Sequence, residues 1–305
     1  MIEKGKKYFV TSDLHSFYTP FKASLDAAHF DISNPDHILI VCGDLFDRGP
    51  ETNELFNFLM TIPKSRRIFI RGNHEQLYLD LLAKPFPDSY DFSNGTVSTF
   101  CQIANFDENC LKMSSDIYAG KEYREKEDLI TSYWVQICKI VKNHKITKFL
   151  ISKEWKNYYE LDKYIFVHSF IPTCLKPEYS IYQMLPSYYW QEDWLQVDPN
   201  WRNAMDYEWK EATWGCPWRL FKEGLFEAEA KTGKVLVVGH WHVSEFHTVF
   251  ENDYNPHNFN IYFGKHLIGL DACTASIYSG QVNVMVIDDQ GICYQYNKPL
   301  KVLGE

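Results

Sequence analysis

The chain has no Cys-x-x-Cys pair. Its eight cysteines, at 42, 101, 110, 138, 174, 216, 273 and 293, are scattered over 305 residues. That spacing excludes a zinc knuckle or a dense disulfide framework and predicts reduced thiols. Basic excess is also missing. The net charge of -9 argues against nonspecific nucleic-acid binding, which depends on a cationic surface, but not against a local basic pocket. No apolar run approaches the roughly 20 residues that a membrane-spanning helix needs. The start, MIEKGKKYFVTSD, holds a short apolar run that stops at Asp13, so no signal peptide is expected. Internal repeats and low-complexity tracts are absent. These absences predict a soluble, cytoplasmic protein with neither membrane nor nucleic acid as a partner.

What is present is core material. Hydrophobic residues make up 45% of the chain and aromatics 16%, ample for one large domain over 1–305. Short apolar runs recur, each ending in polar residues. Tyr8–Val10 leads to Asp13 and His15, Ile38–Val41 to Gly43 and Asp44, and Ile68–Ile70 to Arg71, Gly72, Asn73, His74 and Glu75. Tyr164–Val167 leads to His168, and Val235–Val238 to Gly239, His240, Trp241 and His242. Runs that are apolar at consecutive positions read as strands buried on both faces.

Helical patterns fall between these runs, over Pro20–Phe30, Glu51–Met60 and Asn73–Leu82, with Pro50 placed as a first-turn proline. The alternation predicts a layered α/β fold, in which sites form at the carboxyl ends of strands. It breaks over 84–162, read as a mainly helical insertion with a helix near Leu129–Val141. A second insertion, 177–226, is crowded with rings: Tyr188, Tyr189, Trp190, Trp194, Trp201, Trp209, Trp214 and Trp218. The runs His266–Leu270 and Val282–Ile287 predict a closing pair of strands.

The strand-end donors are Asp13, His15, Asp44, Asn73, His74, His168, His240 and His242. They offer oxygen and nitrogen and no thiolate. Such a set suits a divalent cation such as manganese, iron, zinc, cobalt or nickel. It exceeds the needs of one ion, and two ions sharing a carboxylate would use seven of the eight.

In this order and spacing, the motifs Asp13-Leu14-His15, Gly43-Asp44-Leu45-Phe46-Asp47-Arg48-Gly49, Gly72-Asn73-His74-Glu75, His168 and Gly239-His240-Trp241-His242 resemble the calcineurin-like metallophosphoesterases. The Asp-Arg-Gly ending and the Gly-Asn-His-Glu box are similar to the serine/threonine protein phosphatase branch, which includes the symmetrical diadenosine tetraphosphatases. The tail Leu270–Thr274 with Gly280 resembles the same branch. The resemblance implies a four-layer α-β-β-α sandwich and a phosphoester hydrolase with two divalent ions, manganese first among them.

One ion would take Asp13, His15 and Asp44, with His242 as a possible fourth ligand. The other would take Asp44, Asn73, His168 and His240, and a hydroxide shared by both ions would attack phosphorus in line. His74 would be the general acid, with Asp47 on its other ring nitrogen, and Arg48 and Asn73 would bind phosphate oxygens. A second phosphate-binding arginine, usual in the family, would be Arg219 in Trp214–Arg219, with Arg71 a weaker candidate.

Two departures stand out. Ser169, Phe170 and Ile171 replace the small residues that usually follow the histidine at 168, and Trp241-His242 follows His240 where the phosphatase branch often has threonine. The substrate is left between a phosphorylated protein and a dinucleoside polyphosphate. The strand-end motifs cannot separate them, whereas a deep aromatic pocket would favour the nucleotide and an open groove the peptide. A catalytically dead scaffold would lack a ligand or the acid, and none is missing. A cyclic-nucleotide phosphodiesterase is disfavoured by Asp47-Arg48-Gly49.

Overall fold

The computed structural model describes residues 2–111, 121–178, 194–275, 281–291 and 293–299. Tyr188, Tyr189, Trp190 and Gly280 lie outside them. A six-stranded sheet is built around three parallel strands, β1 (Lys7–Thr11), β2 (His37–Cys42) and β3 (Arg67–Ile70). The two-residue β4 (Trp155–Lys156) extends it in parallel beside β3. On the other side β12 (Gln281–Ile287) runs antiparallel to β1, and β13 (Cys293–Pro299) antiparallel to β12. A second sheet has the order β10 (Tyr262–Phe263), β11 (Leu267–Gly269), β9 (Val235–Val238), β6 (Tyr164–Phe166) and β5 (Tyr159–Glu160). A separate two-stranded ribbon joins β7 (Thr173–Leu175) and β8 (Leu195–Val197).

Side-chain alternation makes these sheets into layers. In β2 all six residues are buried. Leu39 and Val41 face a helical layer, while Ile38, Ile40 and Cys42 face the second sheet. Phe9 points one way on β1, and Tyr8 and Val10 point the other. The second sheet repeats the pattern. Phe166, Val237 and Ile268 meet the first sheet, while Ile165, Leu236, Val238 and Leu267 meet the outer helices. Period-two alternation with both faces apolar forces a helix-sheet-sheet-helix stack, and the chain has the α/β sandwich expected of it.

The first helical layer comprises α1 (Tyr18–Ala27), α2 (Thr52–Thr61), α3 (Asn73–Ala83), α4 (Ser89–Ser93), α5 (Thr96–Ala104), α6 (Lys121–Asn143) and α7 (Lys145–Leu150). The stretch 84–162 thus supplies helices that share the core: Phe100 of α5 stacks on Trp134 of α6 at 5.7 Å, and both are fully buried. It also supplies β4 and β5, one edge strand for each sheet. The opposite layer holds α8 (Asp206–Ala212), α9 (Pro217–Lys222), α10 (Glu227–Lys231) and α11 (Val243–Glu251). No helix among the described residues is long and apolar enough to cross a membrane.

Two local expectations change. Pro50 stands outside α2, which begins at Thr52, because the Glu51 N–H is still engaged with the Ser16 carbonyl at 3.0 Å and holds the chain in the preceding loop. The runs after His266 do not pair with each other. Leu267–Gly269 joins β9 in the second sheet, whereas Gln281–Ile287 crosses to β1 in the first, since each apolar run must be covered on both faces.

Replacing Phe100, wholly buried in the first helical layer, by alanine is expected to lower the unfolding free energy by about 3–5 kcal/mol. Urea denaturation followed by circular dichroism measures it.

Candidate metal centre

Five loops, each leaving a strand end, carry the predicted donors, and they bring His15, Asp44, Asn73, His74, His168 and His240 together. Seven of the eleven non-glycine residues with left-handed φ among the described residues are Asp13, His15, Ser16, Asp44, Asp47, Arg48 and His240. Each costs roughly 1 kcal/mol or more, so the loops hold their shape only through contacts. Glycine is required where loops touch. Gly43 has φ of 85°, and a Cβ there would strike the His168 ring. A Cβ on Gly72 would be driven into Asp44 Oδ1.

Asp44 is central. His15, Asp44 and His74 form one cluster of potential ligands, and Asp44, His168 and His240 form another. Asp44 Oδ2 lies 3.8 Å from His15 Nε2, 3.5 Å from His168 Nε2 and 4.0 Å from His74 Nε2. Its Oδ1 accepts the His74 backbone N–H at 3.0 Å. Burial alone would raise its pKa, but His168, His74, His15 and His240 together hold it below the ordinary carboxylate value.

The histidines are set up as ligands. His15 Nδ1 meets the Phe46 carbonyl at 3.1 Å and His168 Nδ1 the Cys42 carbonyl at 2.8 Å. With the proton on Nδ1, each leaves an Nε2 lone pair for the interior. Burial lowers the pKa of both His15 and His240, that of His240 to about 3 with help from His168. His168 Nε2 then faces Asn73 Oδ1 at 2.8 Å. Two lone pairs pointing at one space repel unless a cation lies between them or the asparagine amide turns over. This donor set, with no sulfur, fits a divalent ion.

Asp13 and His242 are placed differently. Both oxygens of Asp13 accept the His240 backbone N–H, at 3.1 and 3.0 Å. Its pKa is well above the carboxylate range because it is buried and because Asp271 and Asp44 repel its charge. His242 is exposed at the start of α11 and belongs to neither cluster. Asp271, from the tail motif, holds it as a cation by raising its pKa to about 9.

Around His74 the arrangement is tight. Nδ1 is 2.8 Å from Asp47 Oδ2, and Nε2 is 3.2 Å from an Arg48 nitrogen, whose other terminal nitrogen is 3.3 Å from His15 Nε2. Burial opposes a charge on His74, yet Asp44 and the Asp47 hydrogen bond outweigh it and raise its pKa. Arg219 lines a cavity on α9 with its guanidinium 5.6 Å from the Trp218 ring. Arg71 donates to the Leu150 carbonyl at 3.3 Å.

The supports were less legible in the sequence. Glu75 Oε2 accepts N–H groups of Asp44 and Gly72 at 3.0 and 2.7 Å, and its Oε1 accepts that of Leu45 at 2.9 Å. Its place as the third residue of α3 is a capping signal, but the reach to the second loop has no local trace. Thr96 and Thr99 of α5 donate to the two Asp47 oxygens at 2.8 and 2.7 Å. Their spacing shows only that they share a helix face.

With strand-end loops, a shared carboxylate and a histidine-rich interior, the chain belongs to the calcineurin-like phosphoesterase family, whose model matches residues 6–256. That family is one of metal-dependent phosphoester hydrolases. A symmetrical bis(5'-nucleosyl)-tetraphosphatase of Wigglesworthia glossinidia brevipalpis is 33% identical over 78 residues, 25% of this chain and 27% of that protein. The match thus spans about a quarter of the relative's length. Among solved structures, a cold-active protein-tyrosine phosphatase of a psychrophilic Shewanella species has a TM-score of 0.51 at 16% identity, covering 97% of this chain and 80% of the other. A point mutant of a cold-active protein tyrosine phosphatase gives a TM-score of 0.50 at 16% identity, over 97% and 80%. These structural likenesses show the shared fold.

A Glu75→Gln variant keeps the shape but replaces one of the carboxylate oxygens by a donor facing backbone N–H groups. It is expected to lose about 1–3 kcal/mol of stability, read by urea denaturation, and to bind manganese more weakly in calorimetry.

Proposed function

We propose that the protein is a hydrolase that uses two divalent ions to cleave a phosphate ester or anhydride. The observation that carries this reading is Asp44 Oδ2, which stands between two clusters of ligands and is the group both have in common. His15 and Asp44, joined by Asp13 after its carboxylate turns from His240, would hold one ion. Asp44, Asn73, His168 and His240 would hold the other, and His242 would reach the first only after leaving Asp271. Manganese fits these donors, as do iron, zinc, cobalt and nickel. Such ions supply Lewis acidity to the phosphoryl oxygens and bring the pKa of water towards neutrality.

The side chains do the rest. Arg48, exposed at the rim, offers a planar fork to phosphate oxygens. His74 would hand a proton on Nε2 to the departing oxygen once Arg48 leaves that nitrogen, 3.2 Å away, for the phosphate. Asp47 keeps the opposite proton on Nδ1 and favours the charged form needed in an acid. Thr96 and Thr99 fix the Asp47 carboxylate. The resemblance of the Asp47-Arg48-Gly49 and Gly72–Glu75 motifs to protein phosphatases supports a phosphoserine or phosphothreonine residue as the substrate.

A second reading, hydrolysis of a dinucleoside polyphosphate, is favoured by a particular feature. A cavity of about 520 Å³ beside His240 is lined by Trp214, Trp241, Phe170 and Arg219, and the Trp214 ring lies 6.0 Å from that of His240. Rings with an arginine at hand suit a stacked base. The tetraphosphatase named above agrees with it.

Manganese-loaded protein is expected to hydrolyse an aryl phosphate. A phosphopeptide and diadenosine tetraphosphate, assayed alongside, separate the two readings by kcat/KM. His74→Asn should lower kcat by about 10²–10⁴-fold with the bound manganese unchanged by elemental analysis, and equal turnover would refute its role. Because Asp47 holds the His74 pKa up, Asp47→Asn should lower it and move the alkaline limb of the kcat profile to lower pH. A limb that stays in place would mean that His74 is not the acid.

A further inference from the structure

Helix α8 stands between two cavities. Glu208, Glu211 and Ala212 turn to the aromatic cavity beside His240. Asp206, Trp209, Lys210 and Thr213, at the spacing of one helix face, turn to another of about 370 Å³. Arg71, Gln76 and Trp155 complete its wall, together with Gly72. On its other side Gly72 lies directly against the Asp44 carboxylate. The second cavity is therefore one residue's thickness from the centre of the metal clusters.

Its chemistry is that of an anion site. Arg71 and Lys210 bring two positive charges to a wall that holds the Asp206 carboxylate, while Asp80 beside it takes Lys210 on one oxygen and the Gln76 amide N–H on the other at 2.7 Å, and Asn157 adds a further amide. Arg71 makes no ion pair among the described residues. Its guanidinium donates to the Leu150 carbonyl and lies 5.7 Å from the Trp155 ring centroid, which fixes the group and leaves its charge uncompensated. Lys210 meets Asp80 at 3.2 Å, with the two side chains 47% and 45% exposed. An ion pair so open to water is weak and can be exchanged for a ligand.

We propose that this cavity is a second anion subsite. It takes a phosphate group of the substrate other than the one being cleaved, so that the protein selects di- and polyphosphates over isolated phosphomonoesters. The placement of the first phosphate rests on the hydrolase reading above. Arg71 and Lys210 would bind the distal group through charge-assisted hydrogen bonds, and neither would touch the phosphoryl group that reacts.

The test titrates inorganic tripolyphosphate and orthophosphate, each as its manganese complex at fixed free metal, into the manganese-loaded protein by calorimetry. Wild type should prefer tripolyphosphate. Lys210→Gln and Arg71→Gln should each cut the tripolyphosphate affinity roughly tenfold, the scale of one charge-assisted hydrogen bond, while orthophosphate affinity moves by less than about twofold. Lys231→Gln, on the exposed side of α10, should change neither, and a urea midpoint confirms that each variant is folded. The subsite is overturned if wild type shows no preference, if the variants keep it, or if both affinities fall together. Preferential binding that the variants lose, in a protein that turns over no phosphate ester, would leave the subsite standing and sink the hydrolase reading. Turnover of an aryl phosphate without the preference would do the reverse.

Discussion

Asp44 is a carboxylate kept ionised where water does not reach, and the surrounding structure follows from that charge. Burial alone would protonate it. Four histidines around it reverse the balance, but they come from four loops that are distant in the chain, and each must be aimed by a further group. The Phe46 and Cys42 carbonyls aim His15 and His168, and Asp47 aims His74. Glu75 ties the Asp44 loop to the Gly72 loop through three N–H groups. Buried acids that repel one another, as Asp13 does with Asp271 and Asp44, suit a site whose neighbouring clusters are able to hold a metal ion.

Such an arrangement is not free of strain. Seven left-handed residues at about 1–2 kcal/mol each approach the whole net stability of a typical domain, about 5–15 kcal/mol. The offset comes from the layers underneath, where the strands are buried on both faces and lock the loop ends in register. Site and core are thus one energetic unit. The α5 helix shows it most directly, because Phe100 fills the core while Thr96 and Thr99, on the same helix, hold Asp47.

The segments outside the shared motifs shape what surrounds the centre. The tryptophan-rich stretch divides its rings between two tasks. Trp201 and Trp209 are buried and pack with Tyr158, whereas Trp214 stands beside His240. Helix α8 stands between an aromatic cavity and a second one lined by Arg71, Lys210 and Asp206.

The strands, the polar strand ends and the donor set were legible in the sequence, because burial on both faces writes an uninterrupted apolar run and metal-binding chemistry restricts residue type to aspartate, asparagine and histidine. Arg48, Asp47 and His74 were named from the resemblance of their motifs, and the structure brings the three side chains within hydrogen-bond distance along one line. The sequence could not show that Trp155 and Lys156 form an edge strand, that Thr99 serves Asp47 from 52 residues away, or that Glu75 bridges two loops. Nor could it show that Asp13 leans on a backbone N–H while His242 turns to Asp271. Residue type is set by local chemistry and leaves its mark at one position, whereas a partner is set by where the packed layers bring distant chain, and only the tertiary structure decides that.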